Sequence, residues 1–243
     1  MKLNFEPYSL CALSNGNLLS CNNESLAILD KNFKIIKTIT KIDAYSIFCL
    51  YATTNHKNRI FFSNSEENQV VITDLELNKI KIIGTYGRSA EQFNHPRGLT
   101  YYKNLIYICD NGNKRLQKVK DETYEFDRPI ELDYCPVQIK LANDTVLVGS
   151  LFSLYFYNLN DFSLLHKYEG HNGTISEINS IFYEYFPFNK KFYCFSKNAE
   201  LVEEIQTDGF NNEHNGSLAY FKDSFVLPST DSKKLIIIDR LNN

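Results

Sequence analysis

The side chains of this 243-residue chain that could hold a metal or move a proton are five histidines, six cysteines and 29 acids, and their spacing limits what they can do. His56, His95, His166, His171 and His214 form neither a His-x-His pair nor a His-Glu-x-x-His run, the spacings that bring two imidazoles to one face of a strand or helix. Cys11, Cys21, Cys49, Cys109, Cys135 and Cys194 stand singly, mostly beside large apolar residues and with no Cys-x-x-Cys pair. They are read as free thiols of a reducing compartment. The nucleophile elbow Gly-x-Ser-x-Gly is absent, as are both glycine-rich phosphate cradles. The expectation from these residues is no catalysis, no metal and no cofactor.

Charge offers a second kind of chemistry. Residues 85 to 120 carry seven cations (Arg88, Arg97, Lys103, Lys114, Arg115, Lys118, Lys120) against Glu91 and Asp110, a local +5 in a chain of net charge −3, which leaves −8 elsewhere. That balance argues against DNA as a partner and against a surface wholly given to nucleic acid, yet one basic stretch remains that could meet phosphates. No apolar run reaches the 18 or so residues of a membrane span, and the opening MKLNFEPYSL lacks the apolar core of a secretory signal. A cytoplasmic protein without membrane contact is expected.

The elements that position these residues are strands. Apolar residues fall in short runs, such as Leu26 to Leu29, Val70 to Ile72, Leu105 to Cys109 and Leu235 to Ile238, bounded by Asn, Asp, Gly, Ser or Lys. No segment shows the 3.6-residue spacing of a helix. The runs group into six sets about 40 residues apart, with limits near 6–40, 41–84, 85–132, 133–170, 171–207 and 208–243. Four-stranded units with apolar faces cannot stand alone, and a radial arrangement hides those faces. The chain therefore reads as one all-β domain, a six-bladed β-propeller of four-stranded blades. The last set is one strand short, and residues 1–5, where Lys2 to Phe5 alternate before Pro7, are expected to complete it. Blade five is the least regular, because the turn beside the aromatic run Ile181 to Phe188 is hard to place.

The clearest repeat runs from Gly84 to Lys120. Its Gly84, Gly87, Phe93, Pro96, Gly98, Asp110, Gly112, Asn113, Arg115, Leu116 and Gln117 resemble the NHL repeat, whose motif joins a Gly-x-x-Gly approach, Phe-x-x-Pro-x-Gly, and a strand ending in Asp before Gly-Asn-x-Arg-Leu-Gln. The match covers roughly a sixth of the chain. The resemblance implies a six-bladed ring like the C-terminal module of tripartite-motif proteins, where such propellers bind proteins or single-stranded RNA. No RING or B-box cysteine and histidine framework is present. Gly98, Asp110, Gly112 and Arg115 are read as structural, the glycines permitting close backbone approach or positive φ and Asp110 pairing with Arg115 or with backbone.

Function in a propeller sits on loops, because the strands are committed to the blades. In the family it resembles, the segment leading into each inner strand and the loop between second and third strands line one surface. Here they supply His95, Arg97, Asn111, Asn113 and Lys114 from blade three. Other blades offer Tyr8, Asn22, Asn23, Tyr45, Asn64, Tyr134, Phe152, Ser229 and Thr230. A channel metal would need oxygen or imidazole donors where inner strands start, and Ser9, Ser46, Arg97, Gln138, Glu177 or Ile178, and Ser217 offer at most one acid. The leading expectation is a monomeric, non-catalytic module docking a protein partner on this face. The alternative is single-stranded RNA bound at Arg97, Lys114 and Arg88, and a propeller hydrolase or lactonase stands third. Deleting residues 1 to 6 is expected to lower the melting temperature by many degrees; a thermal melt that does not move would refute closure by that segment.

Overall fold

The computed structural model describes residues 6–22, 24–171, 173–186, 189–207, 219–221, 224–229 and 234–239. Six antiparallel sheets follow one another along the chain, each built from consecutive strands. Blade one holds Ser9–Ala12, Leu18–Cys21, Leu26–Leu29 and Ile35–Ile39; blade two holds Cys49–Thr54, Ile60–Asn64, Gln69–Thr73 and Lys79–Ile83. Blade three holds Pro96–Tyr102, Leu105–Asp110, Arg115–Lys120 and Ile130–Glu131; blade four holds Gln138–Ala142, Thr145–Gly149, Ser153–Asn158 and Leu164–Glu169. Blade five holds Thr174–Ile178, Ile181–Phe186, Lys191–Phe195 and Leu201–Gln206, and blade six Ala219–Phe221, Ser224–Ser229 and Lys234–Asp239. A three-residue 3-10 turn, Asn111–Asn113, is the one helical element among the described residues.

The core follows from this order. Middle strands such as Ile60–Asn64 and Thr145–Gly149 are buried at every residue, because a blade has a neighbour on both faces. They therefore read as unbroken apolar runs rather than alternating ones. Outer strands have one free edge: Ile35–Ile39 alternates half-buried with exposed, and Leu164–Glu169 is almost wholly exposed. Six apolar clusters fill the wedges between adjacent blades. Leu19, Ile28, Cys49 and Phe62 join blades one and two, and Phe156, Ile175, Phe182 and Phe195 join four and five. Leu10, Leu29, Phe221 and Val226 join blade six back to blade one. Each inner strand also touches the next around the ring, including that of blade six against that of blade one. The ring is thus a closed six-bladed β-propeller. The expected N-terminal clasp, residues 1–5, lies outside the described residues.

Two inner strands begin elsewhere than the sequence predicts. Blade two starts at Cys49 rather than Ser46, because Tyr45–Ser46 pairs with Lys41–Ile42 in a separate ribbon. Blade five starts at Thr174, ahead of Glu177. Its hairpin turn is Asn179-Ser180, with φ of 51° and 67°, the doubly positive geometry that suits the twist of a two-residue hairpin. The aromatic run is the second strand of that blade, not a strand with a hidden turn.

Gly98 fixes the distance between blades three and four. Its N–H donates to Val137 O at 2.9 Å, and a Cβ at this position would lie 2.7 Å from both Val137 O and Gln138 Cα. Those are backbone atoms that cannot swing aside. Gly149, also in a strand, would place a Cβ at 3.6 Å or more from its neighbours. Gly98→Ala should therefore cost about 1–3 kcal/mol, as overpacking does, lowering the melting temperature by roughly 2–4 °C per kcal/mol. Gly149→Ala should leave a calorimetric melt nearly unchanged, and equal effects at the two positions would sink the close-approach argument.

Candidate functional site

Neighbouring strands of a blade run antiparallel, so the lead-ins to inner strands and the turns between second and third strands share one end of the ring. This end is the loop face. Its most ordered part is built around Asp110, which ends the second strand of blade three and is fully buried. One Asp110 oxygen accepts the Asn94 N–H at 2.8 Å; the other accepts from Asn113 Nδ2 at 2.9 Å and Arg115 Nε at 2.7 Å. A buried charge survives only when paired and fully hydrogen bonded, and Arg115 completes the set by donating to the carbonyls of Arg88, Ser89 and Gln92. Gly112 leaves room for the Asn94 side chain, which a Cβ would approach to 2.5 Å. The long lead-in before blade three hangs on these bonds.

The same device recurs with different side chains. In blade two, buried Asn64 ends the second strand, accepts the Phe48 N–H at 2.8 Å and donates to Ser46 O at 3.0 Å. In blade five, fully buried Glu184 accepts the Gly173 N–H at 2.8 Å, and its other oxygen meets His171 Nδ1 at 2.5 Å. Tyr168, Tyr193 and Phe195 box in the His171 ring. Each staple ties the lead-in of a blade to its second strand. Sequence spacing could not reveal the set, because an amide, an aspartate and a glutamate do one job.

The expected binding residues therefore divide. His95, Lys114, Tyr45 and Phe152 are exposed on the loop face, Phe152 at 75%. Arg97 and Tyr8 are half-buried nearer the axis, and the half-buried Asn111 side chain donates to Pro136 O at 2.9 Å, stitching blade three to blade four. Asn64 and Asn113 are buried in staples, Asn113 also donating to Gly87 O at 2.7 Å. Tyr134 stacks on Tyr155 with centroids 3.8 Å apart and shares a hydrogen bond with the Tyr157 hydroxyl, which makes it part of the packing between blades three and four. Asn22 is buried, its Oδ1 accepting the Glu24 and Ser25 N–H groups. Asn23, Thr230 and the Ser229 side chain lie outside the described residues. Leu151, 54% exposed beside Phe152, escaped the sequence reading although it adjoins a residue that reading chose.

The basic stretch changes most. Five of its seven cations are ion-paired: Arg88 with Glu131, Lys103 with Asp144, Arg115 with Asp110, Lys118 with Asp127 and Lys120 with Glu125. Four of those acids fall outside the window 85 to 120, which is why the local +5 overstated the free charge. Among the described residues, no group of three His, Cys, Asp or Glu side chains is placed to hold a metal. All six cysteines are free thiols. Burial pushes the Cys11 thiol up to about 12 and Cys194 to about 11, and holds Cys49 and Cys109 well above the ordinary value, the opposite of what a thiolate nucleophile needs.

The fold thus defines a six-bladed propeller whose loop face is tied, in blades two, three and five, by buried polar staples. No protein-family model matches the chain, and no curated protein matches it by sequence. Among solved structures it is similar to a streptogramin B lyase, with a TM-score of 0.71 at 13% identity over 100% of this chain and 86% of the other. It is also similar to the Kuenenia stuttgartiensis hydrazine synthase, with a TM-score of 0.69 at 11% identity over 100% and 98%. A catalytically inactive histidine-to-alanine form of Staphylococcus aureus virginiamycin B lyase with quinupristin follows, with a TM-score of 0.68 at 12% identity over 100% and 88%. At such identities the likeness is one of fold. No helix among the described residues is long and apolar enough to cross a membrane.

Arg115→Ala would leave the Asp110 charge buried without its partner and release the blade-three lead-in. The expected loss is about 3–5 kcal/mol, seen as a drop of roughly 10 °C in the melting temperature. Arg88→Gln, which breaks an exposed pair, should barely move the same melt. Equal small effects would show that the Asp110 network does not carry the loop.

Proposed function

We propose that this chain is a non-catalytic, monomeric binding module that docks a protein partner on its loop face. The observation that carries this reading is the turn Ser150 to Ser153 of blade four, where Leu151 and Phe152 stand 54% and 75% exposed. Their backbone is held. Ser150 Oγ accepts the N–H of Phe152 at 3.3 Å and of Ser153 at 3.0 Å, and the Gly170 N–H donates to Phe152 O at 2.9 Å. Two large apolar side chains presented by a fixed turn fit an apolar pocket on another protein, with little ordering left to do on binding. Tyr86, 69% exposed on the lead-in of blade three, adds an aromatic contact on the same face.

The alternative, single-stranded RNA, loses its main support with the five paired cations, since counterion release needs cations free to meet phosphates. Only Arg97 and Lys114 of the seven lack an ion pair among the described residues. The fold is shared with lyases, yet the His171–Glu184 pair holds a lead-in and sits in an aromatic box, and both Glu184 oxygens are occupied. The free thiols suit a reducing, cytoplasmic compartment, and the NHL-like third blade accords with a protein-binding role.

The test is affinity capture followed by calorimetry with the purified partner. Leu151→Ser/Phe152→Ser should weaken that partner by about tenfold or more, as loss of central apolar anchors does, while leaving the melting temperature unchanged. A partner bound equally well by the double variant would overturn the assignment of this turn. Salt-dependent binding of a single-stranded RNA pool, abolished by Arg97→Glu/Lys114→Glu, would put RNA in the partner's place.

A further inference from the structure

The wedge between blades two and three holds a buried apolar cluster, and beside that cluster a cleft of about 500 Å³ opens under the lead-in of blade three. Small-molecule sites occupy about 300–1,000 Å³. One wall is the outer strand of blade two. Successive residues of a strand point to opposite faces; Ile82 packs toward blade one and Ile83 toward blade three, so Lys81 shares the face of Ile83 and lines the cleft. The facing wall is the turn of blade three at Thr123, Tyr124 and Phe126, whose two aromatic residues are half-buried. The roof is Ser89 to Gln92 of the lead-in.

The roof and the turn are held in place. Arg115 donates to the carbonyls of Ser89 and Gln92, Gln117 Nε2 donates to Gln92 O at 2.7 Å, and Gln92 Oε1 accepts the Ser89 N–H at 3.0 Å. Phe126 leans on Phe93 with centroids 5.6 Å apart, and the Tyr124 hydroxyl accepts from Arg59 at 2.8 Å. A ligand meets this cleft already formed, with little ordering left to do on binding. Glu91 stands in the roof at a φ of 62°, a left-handed conformation that glutamate adopts only at a cost, and its side chain is exposed. Among the described residues neither Glu91 nor Lys81 belongs to an ion pair, with each other or with a third group. One cleft thus displays a cation on a wall, an anion in the roof, the hydroxyls of Thr85, Ser89 and Thr123, and an apolar floor at Ile83 and Phe126.

We propose that this cleft binds a free α-amino acid with an apolar side chain. The ligand's carboxylate meets Lys81, its ammonium meets Glu91, and its side chain lies against Ile83 and Phe126. Hydrogen bonds between ionised partners are the strong ones, and a zwitterion is the class that answers both charges at once. A simple anion is repelled by Glu91, a simple cation by Lys81, and an uncharged sugar leaves both unmatched. The hydroxyls of the cleft both donate and accept, so they serve either end of the ligand. The cleft lies between blades two and three, apart from Leu151 and Phe152 of blade four, and does not depend on the docking reading.

The test is calorimetric titration of the full chain at low salt with L-phenylalanine, L-leucine and glycine. The result expected is saturable one-to-one binding of phenylalanine or leucine, with glycine weaker by about tenfold or more for want of a side chain. N-acetyl-L-phenylalanine, which lacks the ammonium, and L-phenylalaninamide, which lacks the carboxylate, should each bind about tenfold weaker than phenylalanine. Lys81→Gln should weaken phenylalanine to a similar degree and leave the amide unchanged, whereas Glu91→Gln should weaken phenylalanine and leave the N-acetyl compound unchanged. That crossed pattern cannot come from loss of the fold, and since both side chains are exposed the melting temperature of each variant should stay at the parent's. Absence of saturable binding of either apolar amino acid, variants that bind as the parent does, or saturable binding of glucose in preference to both amino acids would overturn the proposal.

Discussion

The structure depends on one constraint: every blade is apolar on both faces, so no blade can be folded unless it has a neighbour on each side. Six wedges of side chains meet that demand, and the one between blades six and one, around Leu10, Leu29, Phe221 and Val226, is the interface that turns a row of sheets into a ring. The demand also explains the composition. Middle strands must be apolar at successive positions rather than alternate ones, which is where many of the chain's valines, isoleucines, leucines and phenylalanines are used.

A closed ring of strands leaves the loops to be organised separately, and here that is done by buried polar staples. Asp110, Asn64 and Glu184 each reach from a second strand to the lead-in of its own blade. The staple in blade three is the most elaborate and holds the longest lead-in of the three, with Arg115 reaching three of that segment's carbonyls. Rigid lead-ins let the face present a few side chains in fixed places. The Ser150 turn does for Leu151 and Phe152 what the staples do for the lead-ins.

The fold was legible because strand spacing and turn residues are local signals, and the third repeat carried a full motif. Where legibility failed, the cause was physical. Tyr45 and Ser46 look like the start of an inner strand, but a two-stranded ribbon claims them first. The turn of blade five is Asn179-Ser180, two turn-forming residues without the glycine that marks most two-residue hairpins. Asn64 and Asn113 look like loop-face polar groups and are instead buried, since a small amide suits a staple as well as a ligand.

The pairing of the basic stretch has a kinetic meaning. Arg88, Lys103, Lys118 and Lys120 bring acids from Glu125 to Asp144 alongside them, so at a distance the surface offers a mosaic of short dipoles rather than one positive field. Such fields die away within a few ångströms and cannot draw a charged molecule in from solution. Encounters along this stretch are left to unaided diffusion, in the range of about 10⁵–10⁶ M⁻¹s⁻¹ for uncharged association. Selectivity must then come from how long a molecule stays, not from how fast it arrives.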